Sequence, residues 1–200
     1  TAGLMFNLPL GEEFQSQAVY YYDYPYCMKN NYGIRTSDQF GIIRTQTGIT
    51  LGKSYDDVFN SYVLFSNINI KSWAVRLRYK YIDENNASYK LHYFSGKIER
   101  KSRTFKNTDM GIGAGIDDIK IGKGHYTGFS MGLNLDIFFK YQFSWNLNPG
   151  LMFYSDETIT DIVTSINYHR NRYFFGIEYE QLNIIGSKFN SLAFRMGFYY

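Results

Sequence analysis

The sequence predicts an all-β fold, namely a closed antiparallel transmembrane β-barrel of about ten strands. Three observations carry this prediction. Apolar and polar residues alternate with a period of two, and they do so over segments longer than the five or six residues typical of soluble strands. A fifth of the residues are aromatic, although the mean hydropathy is negative. Together these features indicate strands with one face towards lipid and the other towards a polar interior.

The clearest alternation covers residues 129–145, where bulky apolar residues occupy the odd positions and mostly small or polar residues the even ones. A helix would place Leu133, Asp136 and Lys140 on one side and mix the two classes, so the pattern favours a strand. The same period recurs in segments 73–81, 173–180 and 192–200. No stretch approaches the roughly 18 to 20 apolar residues that a membrane helix requires.

Ten segments fit this pattern, and an even number returns the chain to the side on which it began. Eight strands result if two short segments are loops, and twelve if the N-terminal region adds a hairpin. A turn is predicted at 144–146, and the change of apolar parity between Ile116 and Ile119 predicts a β-bulge at Asp117 and Asp118. The predicted strands are 38–51, 57–70, 72–82, 88–105, 108–121, 125–142, 147–155, 158–169, 172–184 and 188–200.

Residues 1–37 form an N-terminal segment and residues 38–200 the barrel. The tyrosine-rich run at 20–24 is similar to the aromatic girdle at a membrane interface. The segment is therefore expected to be part of a girdle, an extra strand or a plug. The sequence opens at Thr1 without a charged-then-apolar leader, so we expect that a signal peptide has been removed.

The last nine residues alternate apolar side chains and end on an aromatic residue. This segment resembles the C-terminal strand of bacterial outer-membrane proteins, which the barrel-insertion machinery recognises. The resemblance implies location in the bacterial outer membrane. The implied partners are outer-membrane lipid and lipopolysaccharide, the insertion machinery during biogenesis, and other envelope proteins. The residues that carry the signal are Leu192, Phe194, Met196, Phe198 and Tyr200.

The alternation assigns charged residues of both signs to the lumen. Unpaired charges in a narrow interior are costly, so we expect ion-pair networks or enclosed water. The aromatic side chains Phe138, Phe174 and Tyr199 also face inward and obstruct a lumen that about ten strands leave narrow. The predicted lumen charge network comprises Arg44, Arg76, Arg78, Lys80, Asp136, Lys140, Glu178, Glu180 and Arg195.

The charge balance and residue types exclude several functions. A net charge of +3 with scattered basic residues does not indicate nucleic-acid binding, and the basic cluster at 97–106 is interpreted as a solvated turn. The single Cys27 forms no internal disulfide. We expect no metal and no cofactor. The glycines at 111–115 lack the following helix that a phosphate-binding loop requires, and are interpreted as a smooth lumen wall.

No catalytic residues are predicted. A lipid hydrolase would need a histidine beside a serine and an acidic partner. The alternation places His92 in the lumen, His125 near an outer loop and His169 in a periplasmic turn, with no suitable serine nearby. The preferred function is a non-enzymatic membrane anchor, scaffold or subunit of an outer-membrane assembly. One alternative is a narrow channel biased towards anions by Arg76, Arg78 and Lys80, and a second is an outer-membrane lipid-modifying enzyme.

Overall fold

The computed structural model describes residues 20–21, 34–35, 44–54, 59–70, 73–84, 90–105, 108–140, 143–155, 157–170, 173–184 and 187–199. Two short strands, β1 (Tyr20–Tyr21) and β2 (Ile34–Arg35), pair antiparallel with each other. Ten long strands follow and form one closed sheet. They are β3 (Arg44–Ser54), β4 (Phe59–Ile70), β5 (Trp73–Glu84), β6 (Lys90–Phe105), β7 (Thr108–Ile121), β8 (Gly124–Lys140), β9 (Phe143–Tyr154), β10 (Glu157–Arg170), β11 (Tyr173–Ile184) and β12 (Ser187–Tyr199).

Each barrel strand pairs antiparallel with its neighbours in sequence, and β12 closes the barrel on β3. The predicted fold class and the count of ten strands are therefore confirmed. The twelve-strand alternative is excluded because β12 pairs directly with β3, and the eight-strand alternative because all ten predicted segments contribute a strand. Most of the predicted N-terminal segment 1–37 lies outside the described residues, as does the predicted start of β3 at 38–43.

The two ends of the barrel differ in the length of their connections. At one end the strands are separated by residues 55–58, 85–89, 122–123, 155–156 and 185–186, and at the other by two residues each time. The start of β3 and the end of β12 lie at the second end. Bacterial barrels keep short turns and both termini on the periplasmic side, so we call the second end the inner end and the first the outer end.

The outer surface of the barrel is apolar and aromatic over its central band. Leu64 is 57% exposed, Ile116 61% and Ile177 61%, whereas their neighbours in sequence are buried or half-buried and face the lumen. Large exposed side chains of this kind are costly in water and favourable in lipid. In this central band the strands adopt the facing that the alternation predicts.

The sheet contains two β-bulges, and the one between β8 and β9 explains why the strand boundary predicted there is wrong. The pairing of β8 with β9 shifts by one residue between Phe138 and Lys140, and that of β6 with β7 between Arg103 and Phe105. A two-residue turn normally reverses the parity of outward positions, but the extra residue of a bulge restores it. Odd positions therefore face outward in both β8 and β9. The alternation continues through the turn unchanged, so the sequence pattern does not reveal where the turn lies. The predicted turn at 144–146 lies instead within β9.

The bulge predicted at Asp117 and Asp118 is wrong, since β7 pairs continuously with both neighbours there. Ile119 faces inward like Asp117, and it is fully buried in an apolar layer of the lumen. The backbone of β7 alternates regularly through this region. The apolar residues change face because the lumen is filled by apolar side chains at the height of Ile119 and by charged ones at the height of Asp117.

In the part of the chain that the structure describes, no helix is long and apolar enough to cross a membrane.

Candidate functional site

An apolar layer closes the outer third of the lumen. Its members come from the outer ends of seven strands and are almost completely buried, as with Ile119 and Leu182 at 0% exposure. Partly buried side chains, including Tyr126 and Tyr154 with ring centroids 5.1 Å apart, pack against it. We call this set the outer apolar layer: Phe59, Ile82, Leu91, Tyr93, Ile119, Met152, Ile159, Leu182 and Ile184.

A network of buried ion pairs fills the middle of the lumen, with Arg78 at its centre. Its guanidinium Nη1 donates to Asp161 Oδ2 at 3.0 Å, and Nη2 lies 3.4 Å from Glu178 Oε1 and 3.1 Å from Glu180 Oε1. Lys80, which is fully buried, places Nζ 2.7 Å from Glu180 Oε2. The alternation of β5, β10 and β11 directs these side chains inward, and only mutual pairing makes their burial tolerable.

Further ion pairs extend the network across the barrel. Arg195 Nη1 donates to Glu178 Oε2 at 3.1 Å, and Arg76 Nε lies 2.7 Å from Glu99 Oε2. Lys97 Nζ is 3.6 Å from Asp117 Oδ2. Cations and carboxylates from β5, β6, β7, β10, β11 and β12 are thereby tied together in the interior.

Asp117 is held by hydroxyl groups as well as by Lys97. The hydroxyls of Ser95 and Ser130 donate to its Oδ1 at 2.6 and 2.9 Å, and that of Tyr93 donates to Oδ2 at 2.9 Å. Asp117 is only 1% exposed, and three donors together with an ammonium group offset the cost of burying a carboxylate. Asp117 is therefore a fully paired carboxylate of the lumen.

The glycines of β7 make room for this network. A Cβ on Gly111 would lie 3.1 Å from Glu99 Oε2, and one on Gly113 would lie 2.5 Å from Glu99 Cγ. The side chain of Glu99 therefore occupies the space that residues larger than glycine would fill. The interpretation of 111–115 as lumen wall matches this packing.

An aromatic and polar cluster closes the inner end. Phe174 packs between Phe65 and Tyr199, at centroid distances of 6.0 and 5.4 Å, and the guanidinium of Arg195 lies 4.2 Å from the Phe65 ring centre. The imidazole of His169 joins them, 6.3 Å from Phe174. We call Phe65, His169, Phe174 and Tyr199 the inner cluster.

The described residues line two small cavities, one in the charge network and one beside the inner cluster. The larger, of about 100 Å³, lies in the charge network among Arg76, Arg78, Lys97, Asp161 and Arg195. Asp161 Oδ1 and Arg195 Nε are buried without a hydrogen-bond partner among the described residues. A cavity of this volume has room for several water molecules, which would satisfy both atoms. The second cavity, of about 40 Å³, lies beside the inner cluster.

The predicted lumen residues can now be placed. Arg76, Arg78, Lys80, Glu178, Glu180 and Arg195 meet in the network described above. Asp136 lies nearer the inner end, where it accepts a hydrogen bond from Asn134 Nδ2 at 2.8 Å. The side chains of Arg44 and Lys140 lie outside the described residues. Sequence reasoning missed Lys97, Glu99 and Asp117 as members of the network.

The missed residues had a signal in the sequence. The basic cluster at 97–106 was interpreted as a solvated turn, but residues 97–105 belong to β6. Odd positions face inward in β6, and Tyr93, Ser95 and Glu99 are buried. Continuing the period of two from Leu91 would have directed Lys97 and Glu99 into the lumen.

The C-terminal insertion residues lie on the lipid-facing side of β12. Leu192 is 59% exposed and Phe194 49%, and Met196 and Phe198 follow on the same face. Tyr200 lies outside the described residues. The alternating inward positions Ala193, Arg195, Gly197 and Tyr199 face the lumen, so one strand provides both an apolar outer stripe and part of the inner cluster.

Two of the three histidines lie where they were not expected. His92 faces outward, with its Nδ1 2.7 Å from the Tyr79 hydroxyl, and His169 points into the lumen from β10 and is 4% exposed. His169 Nε2 is 2.8 Å from Ser144 Oγ, and Nδ1 is 2.9 Å from the Tyr199 hydroxyl. This contact was missed because Ser144 was placed in a turn. His125 lies near the outer end, as predicted, and is exposed.

Among the described residues, no group of three His, Cys, Asp or Glu side chains could hold a metal ion. The adjacent carboxylates of Asp56 and Asp57 lie outside those residues.

A closed antiparallel barrel of ten strands, apolar outside and charged inside, has the architecture of a transmembrane β-barrel. Location in the bacterial outer membrane stays a prediction from the C-terminal strand. No protein-family model and no curated protein sequence matches the chain.

Solved structures of bacterial outer-membrane barrels are similar in fold. The translocator domain of the autotransporter NalP from Neisseria meningitidis shares 10% identity at a TM-score of 0.45, with 80% of this chain and 90% of that chain covered. The NanC porin shares 13% sequence identity at a TM-score of 0.44, with 78% of this chain and 99% of that chain covered. A bacterial polysaccharide outer membrane secretin shares 9% sequence identity at a TM-score of 0.44, with 78% of this chain and 65% of that chain covered. At such low identity these similarities assign no function.

Proposed function

We propose that the protein is a non-enzymatic outer-membrane barrel that acts as a membrane anchor or scaffold, or as a subunit of an outer-membrane assembly. The observation that carries this proposal is the closure of the lumen at three heights. The outer apolar layer, the charge network and the inner cluster lie in series, and the cavities between them are about 100 and 40 Å³. What remains available to other molecules is the outer surface and the two rims.

The channel alternative is disfavoured by the pairing of its candidate cations. Arg76 contacts Glu99, Arg78 contacts three carboxylates, and Lys80 contacts Glu180. A passing anion would have to displace these carboxylates and then cross the outer apolar layer without hydration. Hydrophobic constrictions block ion passage by excluding water.

The enzyme alternative depends on the contact between Ser144 and His169. A serine nucleophile needs its histidine to be oriented by a partner that stabilises the imidazolium, usually a carboxylate. Here Nδ1 contacts the hydroxyl of Tyr199, and both Ser144 and His169 are 4% exposed. We therefore assign Ser144, His169 and Tyr199 a packing role at the inner end.

Conductance in planar bilayers tests the proposal. Folded protein, verified by its faster mobility on gels before boiling, should show no steady conductance because each of the three layers blocks the lumen. Verified insertion makes the negative result meaningful. Stable single-channel steps from the unmodified protein, with an anion preference that is lost in Arg76→Glu, would overturn the proposal and make transport the function.

A second experiment addresses the scaffold itself. Photo-crosslinking residues at Leu133 and Ile177, which face lipid from β8 and β11, should give a discrete protein adduct from at least one position in intact cells. The matched controls place the crosslinker at the inward positions Asn134 and Glu178, which should give none. The experiment should be repeated at a series of such positions around the barrel and at both rims. Adducts with lipid alone at all of them would contradict the proposed scaffold function.

A further inference from the structure

A row of basic side chains crosses three adjacent strands on the outer surface, near the outer end. In the strand register His92 of β6 pairs with Lys120 of β7, and Lys120 pairs with His125 of β8. All three occupy outward positions. Lys120 is exposed, and the side chain of His125 is 62% exposed. Lys90, the next outward residue of β6 towards the outer end, is also exposed. We call these four residues the basic row.

The basic row lies at the upper edge of the apolar surface. Phe94 is the next outward residue below His92. Below Lys120 and His125 the next outward residues are Asp118 and Thr127, and Ile116 and Phe129 follow them. Phe94, Ile116 and Phe129 are 46%, 61% and 52% exposed and belong to the band that contacts lipid tails. Beside it the Tyr79 hydroxyl contacts His92 Nδ1, and the Tyr81 ring lies 5.1 Å from the imidazole. Tyrosines mark the level of the lipid headgroups. The row is therefore at the height of the headgroups in the outer leaflet.

Neighbouring side chains hold part of the row in place. Asp118 Oδ1 lies 2.7 Å from His125 Nε2 and also accepts from the Thr127 hydroxyl. On the same patch the turn residue Lys123 is exposed and adds a third ammonium group to those of Lys90 and Lys120. The acidic side chains described on the outward face here are Asp118 and, on β5, Asp83, which is the cross-strand partner of Lys90. Three ammonium groups against two carboxylates leave cations in excess.

We propose that the basic row binds a phosphate group of lipid A, the membrane-embedded part of lipopolysaccharide. Ammonium and imidazole N–H groups donate to phosphate oxygens in strong, charge-assisted hydrogen bonds, and basic clusters at a membrane surface recognise anionic headgroups. Cross-strand neighbours lie about 5 Å apart, so Lys120 and the flanking histidines can reach one phosphate together. The apolar surface below accepts the acyl chains, which is why the phosphate is that of a lipid.

The chain offers a matched control on the opposite wall of the barrel. Lys53 of β3 and Lys188 of β12 are exposed at the same end, four or five strand positions away from β7 and β8 in the closed sheet. Neither has a histidine as its cross-strand partner, because Lys53 pairs with Leu192 and Asn60, and Lys188 with Asn183. Loss of these two lysines changes the net charge by the same amount as loss of Lys90 and Lys120.

The test measures binding of lipid A to the folded barrel in nanodiscs of neutral phosphatidylcholine. Lys90→Gln with Lys120→Gln should weaken binding about 25-fold, from about fivefold for each lysine at a membrane surface. Lys53→Gln with Lys188→Gln should change it less than about threefold. Both variants should keep heat-modifiable mobility, since all four lysines are exposed. Lipid A lacking phosphates should bind wild type as weakly as the Lys90 and Lys120 variant binds intact lipid A.

Other results would overturn the proposal. Equal weakening in the two double variants would show only general attraction to a positive rim. Unchanged binding in Lys90→Gln with Lys120→Gln would place the lipid elsewhere. Competition by millimolar inorganic phosphate as effective as that by lipid A would mean that the site takes the free anion. None of these results bears on conductance, so the proposed anchor or scaffold function is tested separately.

Discussion

Replacing Arg78 by methionine removes the central cation of the lumen while nearly preserving the volume of the side chain. The change leaves three carboxylates with different fates. Glu180 keeps the ammonium group of Lys80 at 2.7 Å, and Glu178 keeps Arg195 at 3.1 Å. Asp161 loses the one ion pair that the structure describes for it, while remaining only 9% exposed.

The expected cost follows from the isolation of Asp161. Breaking a buried ion pair by removing one partner costs about 3–5 kcal/mol, because the remaining charge stays desolvated and unpaired. Arg78→Met should therefore lower the free energy of unfolding by about 3–5 kcal/mol. Asp161→Asn in the same chain removes that charge and should restore about 2–3 kcal/mol of the loss, a coupling typical of residues in direct contact.

Urea unfolding of the barrel in phospholipid vesicles measures both quantities. Trp73 and Trp145 lie on outward positions, so their fluorescence reports the loss of the lipid environment, and mobility before boiling gives an independent reading. Arg100→Met is the control. Its guanidinium lies outside the barrel, 5.7 Å from the Trp73 ring centre, and removing such a surface cation–π contact should cost under about 1 kcal/mol.

Two outcomes would refute the reasoning. If Arg78→Met lowered stability by no more than Arg100→Met, the middle of the lumen would be hydrated well enough to screen the network. If Asp161→Asn failed to restore stability to Arg78→Met, the cost would come from lost packing and not from an uncompensated carboxylate.

Three further predictions concern facing, packing and the inner end. Leu133→Arg, on the lipid face near the middle of β8, should lower the free energy of unfolding in vesicles by about 2–4 kcal/mol. Thr127→Arg, near the outer rim, should lower it by about 0–1 kcal/mol. Similar losses from both changes would mean that the bilayer does not lie at the height assigned to it. Gly113→Val should destabilise the barrel by about 1–3 kcal/mol because its Cβ meets the side chain of Glu99. Ala114→Val, at an outward position, should change stability by less than about 0.5 kcal/mol. Tolerance of both changes would mean that Glu99 does not pack closely against β7. Ser144→Ala removes the hydroxyl at His169 Nε2 and should cost about 1 kcal/mol, with Ser187→Ala at an exposed position of β12 as the control. A larger loss accompanied by loss of a hydrolytic activity would contradict the packing role.

The sequence by itself predicted the barrel, its ten strands and the facing of most side chains in its central band. This was possible because a strand crossing a membrane must present apolar residues to lipid at every second position, and the order of residues records that requirement. The pattern fails near the outer end, where apolar residues such as Ile119 also face the lumen. The facing of Arg76, Glu178 and Arg195 followed from the alternation directly.

The tertiary structure alone decided which inward residues meet. Arg78 and Asp161 are 83 positions apart, and Arg78 and Glu178 are 100 apart. Their contacts depend on the closure of β12 on β3 and on the stagger of strands across the lumen, neither of which a period of two records. The position of the turn between β8 and β9 was hidden for a similar reason, because a bulge restored the parity that the turn would have reversed. Ser144 was therefore assigned to a turn. His169 was assigned to the turn after β10, which begins two residues later than predicted, and in the closed barrel the two side chains meet at the inner end.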